Sequence, residues 1–468
     1  MPTTLSLTIR AEVPAQPGAF GQVMAAIGDA AGEVVGVEVV RSTKATVTRD
    51  IIVQVRGDEG GEAVVGAIRG VSGVKVHEVT DRVLLAHQGG KMAMQNRMAL
   101  KSRDDLSMAY TPGVARVCMA IHDDPEQVWD LTIRANTVMV VSDGSAVVGE
   151  GDLGPEASLP AVEAKCMFLR EMAGIDGFPL PVTVRDPDEM VRVLARISSV
   201  VGGYHLTDIA EPRCFEVVHK LGAAVDVPVF HDNQEGHAAA MLAAVMNGLE
   251  LAGKQLSESR LVVCGLGPYG VATVRTMVGA GAGEVIACNR DGAVHSGREG
   301  LDPDLLWVAE HTNPQGRTGT VHELLKGADV FIGFSVPGLL SADDVRSMAA
   351  DPVVFALAMP DPEISPQEAA GVARVLGTGR PDAPNQINST LAFPGIWRGA
   401  LDCRATRIND EMVMAAAHAI AQVCRDEGLA EDYVVPSVFN KRLVPAVAAA
   451  VRRAAEESGV ARIPVGAG

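Results

Sequence analysis

The stretch that decides the fold is SRLVVCGLGPYGVATVRTMVGAGAGEVIACNRDG, residues 259–292. An apolar run predicts a buried strand, the glycines Gly265, Gly267 and Gly270 follow it, and a helical pattern then leads into a second apolar strand. In a βαβ unit these glycines let backbone N–H groups approach a pyrophosphate at the N-terminus of a helix. The stretch therefore predicts a Rossmann-type, doubly wound domain that binds a dinucleotide, with a structural glycine-rich turn as the alternative.

The residue that normally selects between NAD and NADP is not acidic in this sequence. Roughly 20 residues beyond the glycines, where an Asp or Glu would bind the adenosine ribose, the chain has Asn289 followed by Arg290. An amide can bond a hydroxyl without repelling a 2′-phosphate, and an arginine can pair with one. The pair favours NADP, but Arg290 fits a plain surface cation nearly as well, so the cofactor prediction is NAD or NADP.

Strand and helix patterns alternate through most of the chain, which predicts an α/β fold with mostly parallel sheets. A polar, irregular linker over residues 86–107 separates this region from the N-terminus. We predict three domains: residues 1–86, residues 87–236 as a catalytic domain, and residues 237–468 as the dinucleotide-binding domain with C-terminal helices.

The first 86 residues follow the order βαββαβ, which is the ferredoxin-like order, with a last strand predicted over residues 74–86. This unit resembles an ACT domain, and its segment PAQPGAFGQV resembles the turn where such domains bind an amino acid or another small effector. A dimerisation module that binds nothing is an equal alternative.

Bulk properties exclude several classes of protein. A formal charge of −18 over 468 residues argues against nucleic acid or an anionic membrane as the main partner. The seven cysteines are scattered, which is typical of thiols in a reducing compartment rather than of a disulfide framework. Neither a secretory leader nor an apolar run of roughly 20 residues is evident, so we expect a cytoplasmic enzyme that acts on a small molecule.

The region beyond Asp104 resembles the malic enzymes of the small bacterial type that carry an N-terminal ACT-like domain. The strings that carry the resemblance occur in the family's order: DDLSMAYTPGVARVC, VSDGSAVVGEGDLGPEASLPAVEAK, LTDIAEPRCFEV, PVFHDNQEGHAAA, GADVFIGFSVPG and TGRPDAPNQINSTLAFPGIWRGALD. The resemblance implies oxidative decarboxylation of malate to pyruvate and CO2 with NAD or NADP, in a homodimer or higher homo-oligomer.

Three catalytic residues are implied by the same resemblance. Lys165 in AVEAK would be the base that takes the hydroxyl proton, Tyr110 in AYTPGVA the acid that protonates the enol carbon, and Asp232 in FHDN the group that orients the lysine. Without the resemblance, Lys165 reads as a helix-surface lysine and Tyr110 as a turn aromatic.

The metal-binding positions depart from the family pattern. The family binds Mg²⁺ or Mn²⁺ with three carboxylates, and the matching positions here are Thr207, Asp208 and Asn233. Because a hard dication prefers charged oxygen ligands, the loss of two carboxylates predicts weaker metal binding or none. Relocated ligands are an alternative, and the residues near enough in sequence to supply them are Glu150, Glu211, Glu235 and His237.

The substrate positions depart as well. Met359 stands where the family has a substrate-contacting asparagine, and Asn388-Ser389 replaces a pair of asparagines. We therefore keep two alternatives to malate oxidation: a divergent enzyme that oxidises another malate-like 2-hydroxy acid with little or no metal dependence, and a catalytically silent protein that binds a nucleotide or an effector.

Overall fold

The computed structural model describes residues 4–147 and 149–464. It divides into two compact units, Met1–Met94 and Gln95–Gly468. The strands are β1 Thr4–Pro14, β2 Glu33–Ser42, β3 Thr46–Arg56, β4 Lys75–Asp81, β5 Thr137–Ser142, β6 Asp176–Pro181, β7 Gly203–Leu206, β8 Val229–His231, β9 Arg260–Cys264, β10 Glu284–Asn289, β11 Gly292–Ala293, β12 Val330–Gly333, β13 Val353–Ala356 and β14 Val375–Thr378.

The helices follow in the same chain order. They are α1 Ala19–Asp29, α2 Gly57–Gly70, α3 Arg82–His87, α4 Arg103–Ala109, α5 Gly113–Asp123, α6 Val128–Leu131, α7 Pro155–Ala173, α8 Pro187–Ile197, α9 Arg213–Ala224, α10 His237–Leu251, α11 Pro268–Gly279, α12 Pro303–His311, α13 Val321–Leu324, α14 Ala342–Arg346, α15 Pro366–Ala369, α16 Phe393–Asp402, α17 Asp410–Glu427 and α18 Leu443–Glu457.

The N-terminal unit has the predicted βαββαβ order. Its antiparallel sheet runs β2-β3-β1-β4, and the apolar side chains of β1, β3, α1 and α2 form one core. The last predicted strand is wrong beyond Asp81, because the carboxylate of Asp81 accepts from the N–H groups of Val83 and Leu84 at 2.7 and 3.0 Å. That contact is a helix N-cap, so the chain continues as α3 instead of as strand. The ACT assignment stays a prediction.

The second unit contains two sheets. The smaller is fully parallel in the order β6-β5-β7-β8, and β5 and β7 are buried along their whole length. The larger runs β11-β10-β9-β12-β13-β14 and is parallel except for the short β11. This is the doubly wound order in which ligands bind beyond the carboxyl ends of the strands. The predicted border after residue 236 lies inside this unit and stays a prediction.

Helix α10 connects the two sheets in sequence and is buried on nearly every side. Its Ala-rich sequence explains this position, because small side chains let neighbouring helices and strands approach closely. None of the helices in residues 4–147 and 149–464 has the length and apolar character that a membrane crossing requires.

Candidate active site

Two adjacent parallel strands bring the candidate catalytic residues together. Leu206 at the end of β7 is paired in register with His231 at the end of β8. The residues that follow each strand, Thr207 and Asp208 on one side and Asp232 on the other, are buried. They therefore lie at the same carboxyl edge, which is where open α/β sheets place their ligands.

Lys165 projects to this edge from α7 and forms an ion pair with Asp232. Its Nζ lies 2.6 Å from Asp232 Oδ2, and the two side chains are 20% and 4% exposed. Burial alone would raise the pKa of Asp232, but the charge of Lys165 and the neighbouring His205 hold it well below its usual range. Asp232 is thus a permanent anion that fixes the amine, which is the arrangement predicted for these two residues.

Ser389 is the third predicted residue that the fold brings to this pair. Its hydroxyl donates to Asp232 Oδ2 at 2.9 Å and lies 3.5 Å from Lys165 Nζ. It reaches the pair from the turn that precedes α16, which packs against α7. Ser389 therefore helps to hold the carboxylate, although the sequence suggested only a substrate contact.

His205 and Trp397 form a hydrogen-bonded pair next to Asp232, and neither was predicted from the sequence. Trp397 Nε1 donates to His205 Nδ1 at 3.0 Å, which leaves the proton of the neutral imidazole on Nε2, 3.4 Å from Asp232 Oδ1. Burial lowers the pKa of His205, so the ring stays neutral. The bonded pair is 192 residues apart in sequence, and no local motif marks it.

Three predicted site residues form no hydrogen bond with Lys165 in the described part of the chain. The Tyr110 side chain is 66% exposed and forms no hydrogen bond to the described residues. Met359 is 51% exposed. Asn388 caps its own turn, since its Oδ1 accepts from the N–H and the hydroxyl of Thr390, both at 3.0 Å. Their functional roles stay predictions.

The predicted metal positions meet, but they do not make a dication site. Thr207 and Asn233 lie close enough to Asp208 to lower its pKa, whereas burial has the larger effect and raises that pKa to about 6. The set therefore offers one carboxylate, one hydroxyl and one amide. Within the described ranges no three His, Cys, Asp or Glu side chains gather as a metal ion would need. These residues do not fit Mg²⁺ or Mn²⁺.

The four relocated ligands that the sequence suggested do not assemble a metal shell. Glu235 Oε2 accepts from the N–H of His231 at 2.9 Å, and burial raises the pKa of Glu235 to about 7. His237 packs edge-on against Tyr269 and Phe334, with ring centroids 4.9 and 5.3 Å apart.

Glu211 lies instead against the glycine loop. A Cβ placed on Gly267 would be 3.1 Å from Glu211 Oε2. Partial burial raises the pKa of the Glu211 carboxyl, although the residue as a whole is exposed. Glu150 has an interaction of its own in the structure, and no cluster of three candidate ligands includes it among the described residues.

The glycine loop between β9 and α11 has the backbone that a dinucleotide needs. Gly265 has φ +95°, and a Cβ there would overlap the carbonyl of Phe334. A Cβ on Gly270 would overlap the carbonyl oxygen of Gly265, so this glycine permits the close approach of helix and strand. The loop leads directly into the N-terminus of α11, where backbone N–H groups can meet a pyrophosphate.

The residue beside Asn289 is Arg298, which the sequence did not suggest. Arg298 Nη1 donates to Asn289 Oδ1 at 3.1 Å, and its Nη2 contacts Asp291 Oδ2 at 3.1 Å. Arg290 is exposed and forms no hydrogen bond or ion pair with the described part of the chain. It is therefore free to meet a 2′-phosphate, so the structure leaves both cofactors open.

Comparison with known proteins identifies the family of the chain. Residues 89–186 match the family description "Malic enzyme, N-terminal domain", and residues 234–456 match "Malic enzyme, NAD binding domain". The chain belongs to the malic enzyme family. An NAD-dependent malic enzyme of Geobacillus stearothermophilus is 45% identical over 99% of this chain and 97% of that protein.

Two further relatives are also malic enzymes. An NADP-dependent malic enzyme of Halomonas elongata is 39% identical, over 80% of this chain and 92% of that protein. The crystal structure of the malic enzyme from Pyrococcus horikoshii has a TM-score of 0.77 at 40% identity, covering 80% of this chain and 89% of that one. The predictions of family, fold class and an NAD(P)-binding domain are thus confirmed.

Proposed function

We propose that this malic enzyme family member oxidises malate with NAD(P)⁺ and converts the resulting 2-oxo acid to pyruvate and CO2. The observation that carries the proposal is the contact of 2.6 Å between Lys165 Nζ and Asp232 Oδ2 at the carboxyl edge of the smaller sheet. Asp232 holds Lys165 Nζ in position, and the amine can remove a hydroxyl proton once it has given up its own extra proton. The family names of its relatives support the same reaction.

Each residue has a defined part in the first step. Lys165 takes the proton from the hydroxyl at C2, and Asp232 with Ser389 keeps the amine in place. Bound NAD(P)⁺ would supply the acceptor for the hydride from C2. The loop from Gly265 to Gly270 would hold the pyrophosphate of that cofactor by its backbone, as the positive φ of Gly265 allows.

The test is the formation of NAD(P)H from L-malate by the purified full-length chain, with pyruvate measured in parallel. Lys165→Met is expected to lower kcat by about 10²–10⁴-fold, because it removes a general base. Lys220→Met is the matched control, since Lys220 pairs with Asp188 and Glu216 on the surface. A Lys165→Met enzyme that keeps the wild-type kcat would refute the assignment.

We further propose that the enzyme is a homodimer or a higher homo-oligomer and that Tyr110 acts in the site of a neighbouring copy. The helices on either side of Tyr110, α4 and α5, contain no buried residue, and Leu106, Met108 and Met119 are exposed together with Tyr110. An apolar segment of this kind supports burial against a second copy. Such burial would also bring the predicted acid to a lysine.

Complementation tests this arrangement directly. Tyr110→Phe and Lys165→Met are each expected to be inactive, whereas their hybrid dimer would contain one site with both Tyr110 and Lys165. Random mixing makes half of the dimers hybrids with one of two sites complete, so about a quarter of wild-type activity should return. No recovery in hybrids that are shown to form would mean that each site is built from one chain.

We propose that the reaction takes place in the cytoplasm and that the N-terminal unit binds a small effector. All seven cysteines are free thiols, which suits a reducing compartment. The ferredoxin-like order of the N-terminal unit supports the second assignment.

A further inference from the structure

Several buried polar atoms around Asp232 have no hydrogen-bond partner in the described structure. Leaving such atoms unpaired costs about 1–3 kcal/mol each, so a cluster of them indicates a ligand that supplies partners. The unpaired side-chain atoms that can donate are His205 Nε2, Thr207 Oγ1, His231 Nε2, Gln234 Nε2 and His237 Nε2, and Asp232 Oδ1 is an unpaired acceptor among them. They lie at or just beyond the carboxyl ends of β7 and β8, and His237 begins α10.

The network around His231 shows that this ring donates. Its Nδ1 accepts from the backbone N–H of Asn233 at 3.2 Å, so the proton of the neutral ring is on Nε2. Thr207 is fully buried, and its hydroxyl has no hydrogen bond of good geometry. Beside the carboxylates of Asp208 and Asp232, the edge of the sheet therefore presents several neutral donors to the site.

We infer that Thr207, Asn233 and the neighbouring neutral donors bind the carboxylate and hydroxyl oxygens of the substrate directly, in place of a divalent cation. The inference rests on the proposed oxidation of a malate-type 2-hydroxy acid. Such a dianion brings acceptor oxygens, which is the complement of a cluster of unpaired donors.

Charge accounting supports the same assignment. Compared with a site of three carboxylates, a site with Thr207 and Asn233 has two fewer negative charges. A divalent cation carries two positive charges, so the loss of both leaves the net charge of the site unchanged. A dication bound here would have Asp208 as its only carboxylate from that set, because the other two positions are Thr207 and Asn233. Hard dications bind weakly to so few anionic oxygens.

The chemistry balances without a metal. Lys165 carries the proton taken from the substrate hydroxyl once the hydride has left. When the bond to the departing carboxylate breaks, its electron pair moves to the 2-oxo oxygen, which takes that proton from Lys165 and leaves an enol and CO2. Tyr110, by the role proposed for it, then gives a proton to the enol carbon while the enol O–H proton returns to Lys165, which yields pyruvate.

The direct test is Mn²⁺ binding to the full-length protein, followed by electron paramagnetic resonance of the free ion. The wild type is expected to leave Mn²⁺ free, whereas Thr207→Glu with Asn233→Asp should bind it at least tenfold more tightly, because ligand charge sets affinity. Adding Asp208→Asn to that double variant is the matched control and should abolish the gain. Wild-type binding as tight as that of the double variant would overturn the inference.

A second arm uses turnover and substrate affinity. NAD(P)H formation by the wild type should be unchanged by a chelator, and Thr207→Val should raise the KM for L-malate several-fold while leaving the KM for NAD(P)⁺ unchanged. Loss of turnover in chelator, with recovery on Mn²⁺, would overturn the inference. An absence of NAD(P)H under every condition would count against the proposed function instead, because the Mn²⁺ arm needs no activity.

Discussion

Replacing Trp397 with Phe should weaken the enzyme through one buried hydrogen bond. The indole N–H donates to His205 Nδ1 at 3.0 Å, and both side chains are fully buried. Trp397→Phe leaves that nitrogen without a donor, at a cost of about 1–3 kcal/mol. The phenyl ring is also smaller by roughly 40 Å³, which adds about 1 kcal/mol at 24 cal/mol per Å³ of cavity. We expect unfolding free energy to fall by about 2–4 kcal/mol.

Trp397→Phe should also lower kcat/KM, because His205 is then free to turn its proton away from Asp232. Loss of one such contact corresponds to about a tenfold fall in kcat/KM if it is worth about 1.4 kcal/mol in the transition state. Guanidinium unfolding and steady-state kinetics measure the two effects. Nitrogen NMR of the wild type should find His205 protonated on Nε2, identified by comparison with His205→Gln.

Trp307→Phe is the matched control for this experiment. Trp307 stacks on His311 with ring centroids 4.1 Å apart, and its N–H donates to no group in the described residues. The control should therefore lose stacking but no buried hydrogen bond. If Trp397→Phe costs no more than Trp307→Phe, or if His205 carries its proton on Nδ1, the reasoning about this network is wrong.

Three further predictions concern other parts of the chain. Gly270→Ala should abolish NAD(P) binding measured by fluorescence, because its Cβ would overlap the carbonyl oxygen of the first glycine in the loop. Glu211→Gln should tighten NAD(P)⁺ binding about fivefold, since removing a carboxylate near a pyrophosphate relieves about 1 kcal/mol of repulsion; weaker binding would contradict this. Asp50→Asn should cost about 1 kcal/mol at pH 7 through its two bonds to Arg10. Because Arg10 lowers the pKa of Asp50, the loss should shrink as pH falls below 3.8, as chemical unfolding across pH would report.

Sequence reasoning named the candidate pair Lys165 and Asp232 through the family resemblance, and their positions relative to the strands fit the contact that the structure shows. Lys165 stands on a long helix after a buried strand, and Asp232 stands at the end of a short apolar strand. Their contact spans 67 residues, yet the rule that parallel strands end at one edge brings such positions together. The glycine loop was also predictable, because its glycines follow from local sterics that a sequence motif records.

The residues that sequence reasoning missed depend on contacts that no local pattern records. His205 reads as one polar residue inside an apolar strand, and Trp397 as a core aromatic on a helix. Their hydrogen bond requires the packing of α16 against the smaller sheet, which only the tertiary structure specifies. Arg298 was missed similarly, because it returns to Asn289 across a turn instead of following it directly.

Asp232 shows why the proton-transfer residues and the altered cation positions have to be considered together. Its Oδ2 accepts from Lys165 and Ser389, whereas its Oδ1 lies 3.4 Å from His205 Nε2 and has no hydrogen bond in the described structure. The neighbouring Asn233 is neutral, so the turn after β8 contributes one amide and one carboxylate, which is bonded to Lys165 and Ser389. The same turn can therefore keep the amine in place for proton removal while its neutral side chains offer the substrate hydrogen-bond donors. In this chain the contacts that hold Lys165 on Asp232 come from protein groups alone, so they are independent of a bound dication.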